Sequence, residues 1–447
     1  MKWRNLLIWI IVLAGLGGFV YFYEFKGEAK REEAKAKSEK LFDVKEQDIS
    51  TLTLQRGSEK TTIALQNGRW MIESPVSATA DQSAINDIVR NLPSTPRTRT
   101  LTGLQGLSGY GLQPPKIHLE AKTRAGALLS LDVGEKDFSG NDAYARIPPR
   151  GDVILIPSYL SSSFDKSLFQ LRDRKILDFE PEKVTQIDFA SRSGHLTAEK
   201  SGTAWKLLQP VSARGDSIGI STFLGDVFSS EVAEFVDKPD ADLKQYGLAP
   251  PEGMLTIRVG EGTQGNLSKL LLGTKTGDRM YAKLDSSPSL FEISASTAEK
   301  IRPLLFKLRD KHIVSVDVSD LQHAMIQLGA ETYEFDRQTA KESLWKVVLP
   351  KKLAGKEARE WKFWLPLEGI TAEAVLDPPQ SQSKAALFTE PSVRLTLVDR
   401  SNHQIEIRFS KPEKDSVWVR NGNSRSICRV PKKAVEDWTS GLKDVAQ

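Results

Sequence analysis

The chain repeats itself at long range. Ser108-Gly-Tyr-Gly-Leu-Gln-Pro-Pro115 returns as Lys244-Gln-Tyr-Gly-Leu-Ala-Pro-Pro251, so Tyr110 and Tyr246 lie 136 positions apart. Other landmarks keep nearly that offset. Trp70 followed by Pro75 returns as Trp205 followed by Pro210, and Asp81 returns as Asp216. Gly134 closes Leu-Asp-Val-Gly and Gly273 closes Leu-Leu-Leu-Gly; Tyr144-Ala-Arg matches Tyr281-Ala-Lys, and Leu171-Arg-Asp matches Leu308-Arg-Asp. Six landmarks in register define two related copies following one another. Their period is far longer than a solenoid module of roughly 20–45 residues, so these are tandem domains.

A third, worn copy follows. Trp345 and Pro350 keep the spacing of the earlier pairs, and Val-Trp418-Val-Arg stands where Ala-Tyr-Ala-Arg stood. Ile427-Cys-Arg-Val-Pro431 echoes Val153-Ile-Leu-Ile-Pro157. The Tyr-Gly-Leu phrase has become Ala386-Leu-Phe388-Thr-Glu-Pro391, without the opening Tyr and Gly.

Within one copy the hydrophobic pattern alternates before it turns helical. Ile49–Leu54 and Val184–Phe189 have the two-residue period of a half-buried strand. A second strand is expected to lead to Trp70 or Trp205 and to end at the proline. A helix follows. Ile85, Ile88, Val89 and Leu92 stand at i, i+3, i+4 and i+7, and Ile220, Phe223, Leu224 and Val227 repeat that stripe. Asp81 and Asp216 open these helices as acceptors for free backbone N–H groups. Gly111 and Gly247, each between bulky residues, predict positive φ. Strands are expected over Lys116–Glu120, Leu128–Val133, Ala143–Ile147 and Val153–Ile156, then a second helix over Ser161–Leu171. Each copy is thus α+β, a mainly antiparallel sheet packed on helices.

Composition narrows the functions. A net charge of +4 over 447 residues is too small for a dedicated nucleic-acid binder. The single cysteine, Cys428, excludes an internal disulfide and Cys-rich metal sites, and no second His or Cys stands three or four residues from any of the five histidines. Gly260-Glu-Gly262-Thr-Gln-Gly265 matches a dinucleotide fingerprint letter for letter. The residues after it align with a strand of the first copy, so a hairpin turn is the better reading. Ser163-Phe-Asp-Lys166 matches SxxK without a companion motif. Trp70, Trp205, Tyr144 and Tyr281 could stack on a sugar, but large aromatics on strands usually belong to a core. Arg172-Asp173 and Arg309-Asp310 are read as charge pairing or capping at the junctions. No residue is nominated as catalytic, cofactor-binding or metal-ligating.

Leu6–Phe22 carries no charge, and its 17 residues would span roughly 25 Å as a helix, near the lower limit for crossing a bilayer. Lys2 and Arg4 precede it, Trp3, Tyr21 and Tyr23 stand at its two ends where interfacial aromatics are expected, and no clear small-x-small cleavage site appears. This reads as an uncleaved signal anchor with its N-terminus in the cytoplasm. The stretch that follows, rich in Glu, Lys and Ala, is a helical stalk or a charged linker. The expected organisation is residues 1–23 as cytoplasmic N-terminus and transmembrane anchor, 24–40 as stalk or linker, and copies over 41–174, 175–311 and 312–447.

Taken together, Trp-x4-Pro-x5-Asp, Tyr-Gly-Leu-x-x-Pro, Tyr-Ala-Arg/Lys and Leu-Arg-Asp resemble the domain of unknown function (DUF) 4340 family. The resemblance runs from about Leu41 to Asp310 and more weakly through the third copy. It implies a bacterial inner-membrane protein, single-pass, with a periplasmic body and no cofactor. It further implies a non-catalytic accessory subunit beside an ABC transporter of the gliding-motility type. The partners would be the bilayer, the permease, and auxiliary subunits with large extracytoplasmic domains. The alternatives are a module binding envelope glycan or lipid in grooves between the copies, and an envelope hydrolase. The topology is directly testable. A reporter active only in the cytoplasm, fused after Gln447, is expected to be silent; activity there would place the body on the wrong side.

Overall fold

Alternating burial along Ile49–Arg56 (β1), Glu59–Gln66 (β2) and Arg69–Ser74 (β3) puts one side chain in two into the interior. In this computed structural model those strands begin the first of three nine-stranded sheets. The structure describes residue 3 and residues 40–445, apart from 103, 105, 239–241, 261–264, 315, 317, 338–343 and 423. The expected anchor and stalk lie outside the described residues. Among the described residues no helix is long and apolar enough to cross a membrane.

The first sheet continues with β4 (Ala78–Thr79), β5 (Arg99–Leu101), β6 (Ile117–Thr123), β7 (Leu128–Lys136), β8 (Asp142–Arg146) and β9 (Val153–Pro157). Its order is β4-β3-β2-β1-β6-β7-β8-β9-β5, and the other two sheets repeat that order. The pairings are antiparallel. In register, Leu52 faces Ile63 on one side and Ala121 on the other, and Leu54 faces Leu119. This apolar stripe needs a cover. Helix α1 (Gln82–Ser94) supplies it with Ile85, Ile88, Val89 and Leu92, all buried in one cluster with the strands. Asp81 caps α1 by accepting from the Ala84 N–H. Ser217–Phe228 buries the matching four residues in the second copy, and its cap, Asp216, accepts from the Ile218 and Gly219 N–H groups. In the third, Glu360–Glu368 covers its sheet with Phe363, Trp364 and Leu367.

The chain divides into two compact units. The first ends at Lys175 and also takes in Val232–Pro239; the second holds Ile176–Glu231 and Asp240–Gln447.

The Tyr-Gly-Leu corner is a docking point inside each copy. Gly111 and Gly247 have φ of 66° and 65°, the left-handed conformation expected of them. Tyr110 and Tyr246 pack edge-on against Tyr144 and Tyr281, with ring centroids 4.8 and 4.7 Å apart. The next strand is irregular where it receives the corner, between Val133 and Lys136 and between Leu272 and Lys275. There the Thr274 N–H donates to the Tyr246 carbonyl at 2.8 Å. A Cβ on Gly134 or Gly273 would lie 2.1 Å from the Tyr110 or Tyr246 oxygen. The two glycines of each pair are therefore one device. In the third copy both are replaced, by Leu387 and by Ser410. Ser410 is buried, and its hydroxyl accepts from the Trp418 N–H and donates to the Lys411 carbonyl.

Several expectations need correction. The approach to Trp70 is two strands, β2 and β3, joined at Asn67-Gly68, both at positive φ, an Asn-Gly hairpin. The second helix is two: Ser158–Phe164 (α2) and Leu168–Leu171 (α3). Ser167 breaks it because it is the extended N-cap of α3, in a capping box with Gln170. The two-residue β4 and three-residue β5 have no sequence periodicity to announce them. Trp70 and Trp205 are core residues, as expected, at 5% and 6% exposure.

Two substitutions should move stability in opposite directions. Gly273→Ala forces a Cβ onto the Tyr246 carbonyl and is expected to cost about 1–3 kcal/mol. Gly225→Ala, in the Ser217–Phe228 helix with open space around it, should stabilise by about 0.5–1 kcal/mol. Urea midpoints shifting together would contradict this packing. Trp205→Ala should cost about 3–5 kcal/mol.

Candidate functional site

The charged residues shared by the first two copies meet at the turn where one copy ends. After α3, the Asp173 N–H donates to the Thr79 carbonyl, and Asp81 N–H donates to Leu171. The second copy repeats this with Asp310 to Arg214 and Asp216 to Leu308. The motif is thereby tied back to the start of the cap helix in its own copy. Lys311, just beyond it, lies 3.2 Å from the Asp216 carboxylate. Burial would raise that carboxyl, but the Gly219 and Ile218 N–H groups and Lys311 outweigh it and hold Asp216 below the ordinary carboxylate range. A depressed carboxylate stabilises the fold above its unfolded pKa, and the contribution is lost as pH falls through the folded value.

The arginines of the motif are buried. Arg172 donates from Nη1 to both oxygens of Asp237, at 2.7 and 2.8 Å, and its guanidinium lies 3.5 Å from the centre of the Phe235 ring. In the second unit Arg309 donates from Nη2 to Asp377, 3.0 and 3.1 Å from its two oxygens. Ser426 donates to the same carboxylate. Among the described residues, Nε of each arginine has no partner. The backbone that follows runs antiparallel to the chain beyond the cap helix: Val232 N–H donates to the Arg174 carbonyl, and Ala372 N–H to Lys311. Each latch thus joins a Leu-Arg-Asp motif to an aspartate just beyond a short strand, Glu234–Val236 or Ala374–Leu376. In the third copy Val445 takes the role of Leu171 and Leu308, its carbonyl accepting from Arg359 N–H, and Ala446 follows where the arginine stands in the other two.

A second polar constellation stands in the first copy. His118, Asp132 and Arg146 are spaced by fourteen residues, which places them side by side on β6, β7 and β8. Asp132 is buried. His118 Nδ1 lies 2.6 Å from one of its oxygens, and Arg146 donates to the other from Nε and Nη2. Glu120 lies 3.3 Å from His118 Nε2. Both oxygens of Asp132 are engaged by neighbours, so the cluster ties three strands. Its aligned position in the second copy is Leu271. Of this cluster the sequence marked only Arg146, as part of the Tyr144-Ala-Arg landmark; the equal spacing of fourteen is the signal that could have found the rest.

Inside the second unit, a cleft of about 700 Å³ opens beside the Arg309 latch. Arg214, Asp310, His312 and Arg425 line it, with Cys428 on its wall. Cys428 is half-buried, and burial pushes its thiol up to about 11, so it is mostly protonated at neutral pH.

The tempting motifs resolve locally. The glycines at 260 and 265 lie between two paired strands, Gly253–Val259 and Asn266–Thr276, rather than before a helix. Ser163 donates its hydroxyl to the Leu160 carbonyl in α2. Among the described residues no cluster of three or more His, Cys, Asp or Glu side chains is arranged to hold a metal ion.

A family model, the domain of unknown function DUF4340, matches residues 70–217 and again residues 205–391. Each match begins on the repeated tryptophan, Trp70 or Trp205. No curated protein matches the chain.

The latch predicts an asymmetry. Arg309 is almost fully buried, whereas the Asp377 side chain keeps 23% exposure. Asp377→Ala leaves a buried, unpaired guanidinium and should cost about 3–5 kcal/mol. Arg309→Ala leaves a carboxylate that water can reach and should cost about 1–3 kcal/mol. Urea unfolding of the two variants measures the difference, and equal or reversed costs would contradict the pairing.

Proposed function

The chain belongs to the DUF4340 family, and on that premise we propose that it is a non-catalytic, membrane-tethered accessory subunit. In this reading residues 1–23 anchor it in the bacterial inner membrane with the N-terminus in the cytoplasm. The three copies form a periplasmic body that binds the permease and auxiliary subunits of an ABC-transporter-type complex, as the resemblance to the family implies. One observation supports the reading above others. The polar residues the copies share are consumed in building them: Asp81 and Asp216 in helix caps, Arg172 and Arg309 in latches. A catalytic repeat would be expected to hold its shared polar residues free for substrate, with an acid, base or nucleophile converging on one point. A tandem of one fold instead multiplies surface for partners.

Tethering is the testable part. Releasing the body with a cleavable signal peptide should abolish complementation even when the body is exported and folded, and the full-length chain should co-purify with a multispanning transporter subunit from mild detergent. Full rescue by the soluble body, with no such subunit co-purifying, would remove the basis for the accessory role.

A further inference from the structure

We propose that the cleft inside the second unit binds a phosphate group, carried by a small polar solute or by a lipid headgroup. The site stands apart from the accessory role, which uses the outer surface and the anchor.

Size is the first consideration. About 700 Å³ is in the range of small-molecule sites and larger than phosphate alone requires, so the group is expected to come attached to a polar body.

Charge is the second. Three arginines, Arg214, Arg309 and Arg425, border the cleft. Two carboxylates answer them. Asp377 is committed to Arg309 from behind, and Asp310 lies 3.5 Å from Arg214 Nε and 2.6 Å from His312 Nδ1. Arg425 is exposed, and among the described residues no carboxylate pairs with it. The cleft therefore carries one cation in excess among the described residues. A planar guanidinium offers a fork of donors matching the oxygens of phosphate; Arg214 and Arg425 bring two such forks to one volume, while Arg309 stays held by Asp377. The Arg309 latch gives the site a rigid wall, because its guanidinium is fixed by Asp377 and Asp377 in turn by Ser426.

The test uses the full-length chain in mild detergent and isothermal titration calorimetry. Glycerol 1-phosphate and inorganic phosphate are the soluble probes. Dihexanoyl-phosphatidylglycerol below its micellar concentration is the lipid probe, with glycerol and dihexanoyl-phosphatidylcholine as references. A phosphate probe is expected to bind where glycerol does not. Tighter binding of dihexanoyl-phosphatidylglycerol than of glycerol 1-phosphate would assign the site to a headgroup, and the reverse order to a solute; both support a phosphate site. Arg425→Gln, on an exposed side chain, should weaken binding by about tenfold, the scale of one charge-assisted hydrogen bond, with the thermal midpoint unchanged. The proposal is overturned if no phosphate probe binds at millimolar concentration, or if Arg425→Gln binds as the native chain does.

Discussion

Burying Arg309 to 6% exposure takes most of a full charge out of water, which costs several kcal/mol unless a carboxylate pairs with it. Asp377 meets that condition in the second unit, and Asp237 does so for Arg172 in the first. Much of the repeat architecture is arranged around this requirement. The arginine reaches its aspartate because the Leu-Arg-Asp turn is pinned to the start of the cap helix in its own copy. The aspartate is in place because a short strand ends just before it. A copy can therefore be sound in its own core and still depend on this pairing for its junction.

The core itself obeys a different rule. Each nine-stranded sheet has an apolar face covered by a helix; in the first two copies that helix is set by one aspartate cap and a four-residue stripe, and in the third it has no side-chain cap and buries Phe363, Trp364 and Leu367. The Tyr-Gly-Leu corner then fixes the far half of the sheet, by laying a backbone carbonyl against a strand that must be glycine to receive it. When the third copy loses the glycine of the corner it also loses the glycine of the strand, and the Ser410 hydroxyl fills the opened place with hydrogen bonds to its own neighbours. The worn copy is in this respect repacked.

How much of this was legible follows from range. Helix stripes, aspartate caps and left-handed glycines are local features, and Asp81, Asp216, Gly111 and Gly247 do what their neighbours suggest. The latch partners are not local: Asp237 and Asp377 lie 65 and 68 residues from their arginines, and the apolar-Asp-x-Pro pattern the two segments share does not say what the aspartate meets. Asp132 is buried by strand register, which alternation alone does not set. The split between α2 and α3 turns on whether Ser167 continues a helix or caps a new one, and its capping-box partner Gln170, three residues on, is the local signal for the cap. The cleft beside Arg309 needs two copies to form, so nothing in either copy alone announces it.

The central claim is that the residues the copies share hold the fold together and perform no chemistry. A buried arginine paired only for structure can be exchanged, together with its carboxylate, for neutral side chains of similar volume with little loss of stability. The direct test replaces both latches at once, Arg172→Met with Asp237→Asn and Arg309→Met with Asp377→Leu, and measures complementation together with the thermal midpoint. The account predicts a folded chain that still complements. A variant that keeps the native midpoint but no longer complements would contradict it, because the arginines would then be acting on something other than their own aspartates.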